Sequence, residues 1–269
     1  MKKKLFFALV ASVMLACTDG YNPEIPVAKE GLLPGKFSVD TKGNQVQFSQ
    51  GNLQYQASTE TWRFAEHQWE YIGDGNKNIS ATYEGWIDLF GWGTGSKPTL
   101  TSIFNNSYQI YTEWGRNKIA NGNNTAYQCR TLSKNEWGYL LEDRPNAKNL
   151  CAKGTVVGVH GFIILPDDWK TPRGLTWQGL QEKTRLETNV YTAEEWYKME
   201  VSGAVFLPAA GQRGFNAIRY VGSDGLYWSS TPADYEYAYS LVFDSNSLWP
   251  KDDDDRFYGR SVRLVHSLK

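Results

Sequence analysis

The sequence predicts an α+β fold with two helices, small antiparallel sheets and long irregular loops. Two capping boxes, Ser133-Lys134-Asn135-Glu136 and Thr192-Ala193-Glu194-Glu195, each open a stretch with apolar residues at helical spacing. Several short apolar or alternating runs carry strand signals. The composition is rich in rings and glycine, with 11 Trp, 16 Tyr, 12 Phe and 25 Gly in 269 residues. That combination suits many short strands and turns with large side chains between them.

The elements follow in order. Lys2, Lys3 and Lys4 precede an apolar run from Leu5 to Ala16, which is too short to span a bilayer and fits the core of an export signal. Residues 1–16 are therefore read as a signal peptide. Residues 18–36 hold Pro23, Pro26 and Pro34 with Gly20, Gly31 and Gly35, so 17–36 reads as a tether. Residues 37–269 read as a single domain. Phe37–Asp40 and Val46–Ser49 alternate around Lys42-Gly43-Asn44 and predict a hairpin. Leu53–Gln56 and Trp62–Ala65 repeat the alternation, and residues 66–127 read as a long irregular region ordered by its rings. Trp137, Leu140 and Leu141 mark the first helix; Trp196 and Met199 mark the second, which Gly203 ends. Gly161–Pro166 and Gly203–Pro208 read as core strands closed by proline. Leu226–Ser230, Tyr239–Phe243 and Ser261–Val265 complete the set of strands.

Hydrophobic residues make up 41% and charged residues 21%, a globular balance. The formal net charge is −1, so no electrostatic pull on nucleic acid is expected. Removing residues 1–16 takes away three lysines and no acid, leaving 25 basic and 29 acidic residues and a net charge of −4. Cys129 and Cys151 admit two readings. An exported pair closing a loop of about 20 residues would stabilise by roughly 3 kcal/mol as a disulfide; the alternative is two separate buried thiols. His67, His160 and His266 are far apart and suggest no catalytic triad. No metal site and no cofactor are expected.

Met14-Leu15-Ala16-Cys17 resembles the lipobox of bacterial lipoproteins. The resemblance implies cleavage before Cys17, lipid on its sulfur, and a membrane partner reached through that lipid in the cell envelope. Acyl chains contribute about 0.8 kcal/mol per buried methylene, enough in combination to hold a soluble domain at a membrane. Further motifs are Phe48–Tyr55, Gly85–Gly93, Arg130-Thr131-Leu132-Ser133, Ile164–Trp169, Leu207–Gly211, Tyr227–Thr231 and Gly259-Arg260-Ser261-Val262-Arg263. Together these resemble the Fibrobacter succinogenes major paralogous domain, a family of surface lipoproteins of gut Bacteroidetes. The resemblance implies a C-type-lectin-like fold whose small sheet joins the N- and C-terminal strands. A more distant similarity is to formylglycine-generating (sulfatase-modifying) enzymes, through Arg130, Ser133, Glu136 and Trp137. That class depends on C-terminal cysteines, and no cysteine follows Cys151, so its chemistry does not carry over.

The expected role is a lipid-anchored binding module, not an enzyme, recognising a glycan or protein through loops near residues 212–258. A structural or tip subunit of a surface assembly is the alternative, and an enzyme of formylglycine-generating type is disfavoured. Sugars need an exposed ring beside polar side chains. Trp249 is the expected exposed ring, with Arg213, Asn216, Tyr235, Tyr237 and Tyr258 beside it; Trp228 is expected in the core. Asp252–Asp255 reads as a solvated loop partly neutralised by Lys251 and Arg256. Calcium there would require the run to curl around the ion, and no glycine is placed to allow it.

Overall fold

The computed structural model describes residues 28–181, 185–215 and 217–268, so the export signal, Cys17 and Asn216 lie outside the described residues. The fold is mixed α+β. In chain order the first elements are β1 (Phe37–Ser38), β2 (Gln45–Phe48), β3 (Leu53–Gln56), β4 (Thr61–Phe64), β5 (Trp86–Ile87), β6 (Arg130–Thr131) and α1 (Lys134–Gly138). Then come β7 (Cys151–Val156), β8 (Val159–Ile164), β9 (Val190–Tyr191), α2 (Ala193–Val201), β10 (Val205–Pro208), β11 (Gln212–Gly214) and β12 (Ala217–Arg219). The chain closes with β13 (Gly225–Pro232), β14 (Tyr237–Phe243), β15 (Leu248–Asp255) and β16 (Leu264–Ser267).

Both helices start where their capping boxes predict. Ser133 accepts from the Glu136 N–H while Glu136 accepts from the Ser133 N–H, and Thr192 and Glu195 do the same. Arg130 grips the capping carboxylate with both guanidinium arms, at 2.8 and 2.6 Å. The Arg130–Trp137 motif is thus a helix-start lock in this chain. Past Gly138, α1 runs on into a π-helical turn over Tyr139–Asp143.

One sheet has the order β1-β2-β16-β6 and joins the two ends of the domain. Its C-terminal strand begins at Leu264, later than the Ser261 expected from sequence. A second sheet, β10-β8-β7-β9, pairs the two proline-closed strands directly, Val205 against Ile164 and Pro208 against Gly161. A third, β13-β14-β15, is an antiparallel meander.

Two expectations need correction. Residues 28–36 are not tether. Leu33 is fully buried and its N–H donates to Phe48 O at 2.9 Å, while Leu32 bridges Ser49. A Cβ on Gly35 would lie 2.3 Å from Gly203 O, so the two backbones touch only because both residues are glycine. Asp252–Asp255 is not a loop either. It is the second half of the edge strand β15, with Asp252 opposite Ser240 and Asp255 opposite Tyr237. The strand carries Asp253 outward and turns Asp254 to the buried Arg260 guanidinium, which lies 4.8 Å from the Trp228 ring centre. Four charges on an edge strand also discourage pairing with other chains.

Three buried clusters fill the interior. One joins the terminal sheet to α1 and β8. A second gathers Trp62, Phe90, Trp92, Trp114 and Trp228, and a third packs Trp196 and Met199 of α2 on Phe206. Cys129 packs beside the second cluster and Cys151 sits inside the first, both as free thiols. The disulfide reading is therefore corrected: the two sulfurs serve different cores. Burial, and for Cys129 the nearby Glu113 charge, push their thiols up to about 11 and about 12.

Candidate binding site

The loop from Gly93 to Thr112 leaves the ring-rich core at Trp92. Its neck is closed by backbone pairing: Thr112 N–H donates to Gly93 O at 2.8 Å and Gly95 N–H to Thr112 O at 3.0 Å. Trp92 anchors the neck, its Nε1 donating to Ser229 O at 2.9 Å. Beyond it, Asn105–Tyr108 forms one 3-10 turn, and the buried Tyr108 hydroxyl donates to Ser102 O at 2.9 Å. Gln109 Nε2 donates to Asn105 O and to Tyr235 O, tying the loop to the turn between β13 and β14.

This arrangement encloses a cavity of about 260 Å³ whose wall includes Trp92, Leu100, Asn106, Ser107, Tyr108 and Gln109. A wider, shallower cleft of about 480 Å³ adjoins it and shares Ser96, Lys97 and Leu100; Tyr55 and Glu60 line its far side. Large apolar side chains stand in solvent on the loop and at the turn it meets: Ile110, in the cavity wall, at 84% exposure, Phe104 at 65%, and Tyr235, whose carbonyl binds Gln109, at 65%. Exposed rings next to a polar concavity are the features a binding surface needs.

The electrostatics of the cavity are one-sided. Lys97 is the one charged residue in its wall among the described residues. Behind the wall lie two buried arginines. Arg256 has its guanidinium 4.4 Å from the Trp92 ring centre, and its Nη1 donates to Tyr108 O and Gln109 Oε1 at 3.3 and 3.4 Å. Its other contacts are the carbonyls of Tyr237 and Asp234. Arg213, only 2% exposed, lies near enough to Tyr108 for their charges to interact. Its Nη1 reaches Phe215 O at 3.5 Å, while Nε and Nη2 have no partner among the described residues.

The sequence-predicted residues divide. Tyr235 stands beside the cavity. Arg213 is buried behind it and is not a surface hydrogen-bonder, because its strand β11 pairs with β12 and bridges Gly259. Tyr258 is half-buried, in a ring group with Phe257 at 4.6 Å that continues to Phe215 at 5.5 Å. Tyr237 is half-buried opposite Asp255. Trp249 is 48% exposed, as expected of it, but pairs with Val242 at the other end of β15. At strand spacing that puts it roughly 17–20 Å from Tyr237. The structure therefore does not join Trp249 to the rest. Trp228 is fully buried.

Loop residues Lys97, Ser107, Tyr108 and Gln109 escaped the sequence reading. Their only signal was membership of a polar, ring-bearing stretch, and what makes them a site is closure of the neck by Thr112. Other polar groups have structural partners. Asp88 is fully buried, its carboxylate accepting from Ile72 N–H and Asn76 Nδ2; burial pushes its pKa up to about 6. His67 stacks on Trp69, and His160 and His266 bond the carbonyls of Gly222 and Gln128. Among the described residues no cluster of His, Cys, Asp and Glu is arranged to hold a metal ion, and no helix is long and apolar enough to cross a membrane. Comparison of the chain with family models, curated proteins and solved structures finds no match.

Proposed function

We propose that this protein is a lipid-anchored binding module of the cell envelope with a C-type-lectin-like fold, and that it holds a glycan or a protein ligand without transforming it. The observation that carries the reading is the cavity under loop 93–112, flanked by the exposed Phe104, Ile110 and Tyr235. Its polar side chains offer hydrogen bonds, and its rings offer apolar faces to a sugar or side chain. The anchor rests on the lysine-rich start, the apolar run and Ala16-Cys17.

A glycan array and a panel of surface proteins, probed with the mature chain and with a Phe104→Ala/Tyr235→Ala variant, test the reading. Binding that the double variant loses is expected; absence of binding to either panel sinks it. Labelling with a radioactive fatty acid tests the anchor, and Cys17→Ser is expected to abolish both label and membrane association. The exposed Trp249 on an edge strand, away from the cavity, favours a second reading as a subunit of a surface assembly. Co-purification that Trp249→Ala disrupts would support it.

A further inference from the structure

The buried arginines of this fold follow a rule that two of them break. Arg144 meets Asp167 at 3.0 Å, and Arg260 meets Asp254. Arg263 reaches Glu200 through Gln68, which accepts from Arg263 Nη2 at 2.8 Å and donates to Glu200 at 2.9 Å. Each of these cations has a carboxylate, direct or relayed, as a charge removed from water requires. Arg213 has none among the described residues, and two of its nitrogens have no hydrogen-bond partner among them. Arg256 makes no ion pair among the described residues; its contacts are three carbonyls and an amide oxygen. Asp234 lies near it, but the Asp234 carboxylate accepts from the N–H groups of Glu236 and Tyr237.

Both exceptions converge on Tyr108, and Tyr108 lines the cavity. Lys97 adds a third positive charge at the rim, again without an ion pair among the described residues. No acid lines this cavity among the described residues, although the mature chain is acidic overall. A positive cavity in a negative protein is unusual unless something negative completes it.

We infer that the cavity takes the carboxylate-bearing sugar of an acidic glycan, with the negative group held by the field of Arg213, Arg256 and Lys97. The inference rests on the cavity being the ligand site. About 260 Å³ is below the roughly 300–1,000 Å³ of drug-sized sites, which fits one sugar unit and not a folded peptide segment. Asn106, Ser107 and Gln109 offer hydrogen bonds to hydroxyls, and the adjoining cleft gives room for the next sugar along the chain.

The test is calorimetric titration of the mature chain with three probes: a uronic-acid oligosaccharide, its neutral hexose counterpart, and an acidic peptide. The acidic sugar is expected to bind at least about tenfold more tightly than the neutral one, and more weakly as salt is raised. Lys97→Glu, a surface change, should weaken acidic-sugar binding by about tenfold or more, a larger factor than its effect on neutral-sugar binding. Arg213→Met should lose the same preference while its melting temperature stays equal or rises, because it removes an unpaired buried charge. Equal affinity for acidic and neutral sugars overturns the inference and leaves the module reading standing. Preference for the peptide overturns the sugar assignment. Binding of none of the probes, here or on the arrays, overturns both readings.

Discussion

Arg256 lies 4.4 Å from the centre of the Trp92 ring while its Nη1 donates to Tyr108 O, so one side chain fastens the end of the acidic strand to the cavity loop. The contact matters because loop 93–112 has little regular structure of its own. Beyond its single 3-10 turn, it is held by its neck, by Gln109 and by this guanidinium.

Replacing Arg256 by Ala should therefore free the loop. The cation–π contact and several carbonyl hydrogen bonds disappear together, a loss of about 2–3 kcal/mol. Denaturant unfolding checks the magnitude. Hydrogen exchange should show faster amides in 93–112 and little change in β7 or β8. Arg256→Lys keeps the charge but not the planar fork, and should recover only part of the stability.

The acidic strand separates two readings of four aspartates. Asp253 points outward, and its replacement by Asn should change stability by less than about 0.5 kcal/mol. Asp254→Ala leaves the Arg260 guanidinium buried without its ion pair and should cost about 2–3 kcal/mol, the partial exposure of Asp254 trimming the full penalty. Equal effects at the two positions would restore the solvated-run picture.

Acid should weaken the junction between the N-terminal hairpin and the strand end after β8. Burial pushes the Asp167 carboxyl up, but hydrogen bonds from Ser38 and Gln45 and the Arg144 charge outweigh it and hold its pKa below the ordinary 3.8. A lowered folded pKa means that the stabilisation is present above the unfolded value and lost as pH falls through the folded one. Wild type should lose more stability than Asp167→Asn between about pH 5 and pH 2. At neutral pH the variant should be about 2 kcal/mol less stable, since Arg144 is left buried and unpaired. Parallel pH profiles for the two proteins would refute the assignment.

The thiols offer a simple check. Reductant should leave the melting temperature unchanged, where a disulfide of this loop length would shift stability by about 3 kcal/mol. Intact-protein mass spectrometry without reductant should count Cys129 and Cys151 as alkylated only after unfolding. With their thiols pushed up to about 11 and about 12, neither presents a thiolate in the folded state near neutral pH.

The expected ligand site was legible only in part. Trp249 was expected exposed and is; Trp228 was expected buried and is. Asn216 lies outside the described residues. Arg213 neighbours rings as its sequence setting suggests, yet from inside the protein. Chain proximity suggested that Trp249 and Tyr237 would cooperate. An extended strand carries them to opposite ends of one sheet instead.

What the sequence alone determined about this protein is its local grammar. The two capping boxes, the proline-closed strands and the ring-rich irregular stretch depend on side chains within a few residues of one another, so periodicity and spacing reveal them. Tertiary structure alone decided the pairing of Asp254 with Arg260, the docking of residues 28–36 against Gly203 and Phe48, and the convergence of Arg213, Arg256 and Lys97 around one cavity. The first depends on burial of the guanidinium, and the docking on Gly203 and the contact of Arg256 with Tyr108 bring together residues more than a hundred positions apart. A guanidinium written in sequence is the same whether it ends in water, on a carboxylate or on backbone carbonyls behind a cavity wall; only the fold makes the difference.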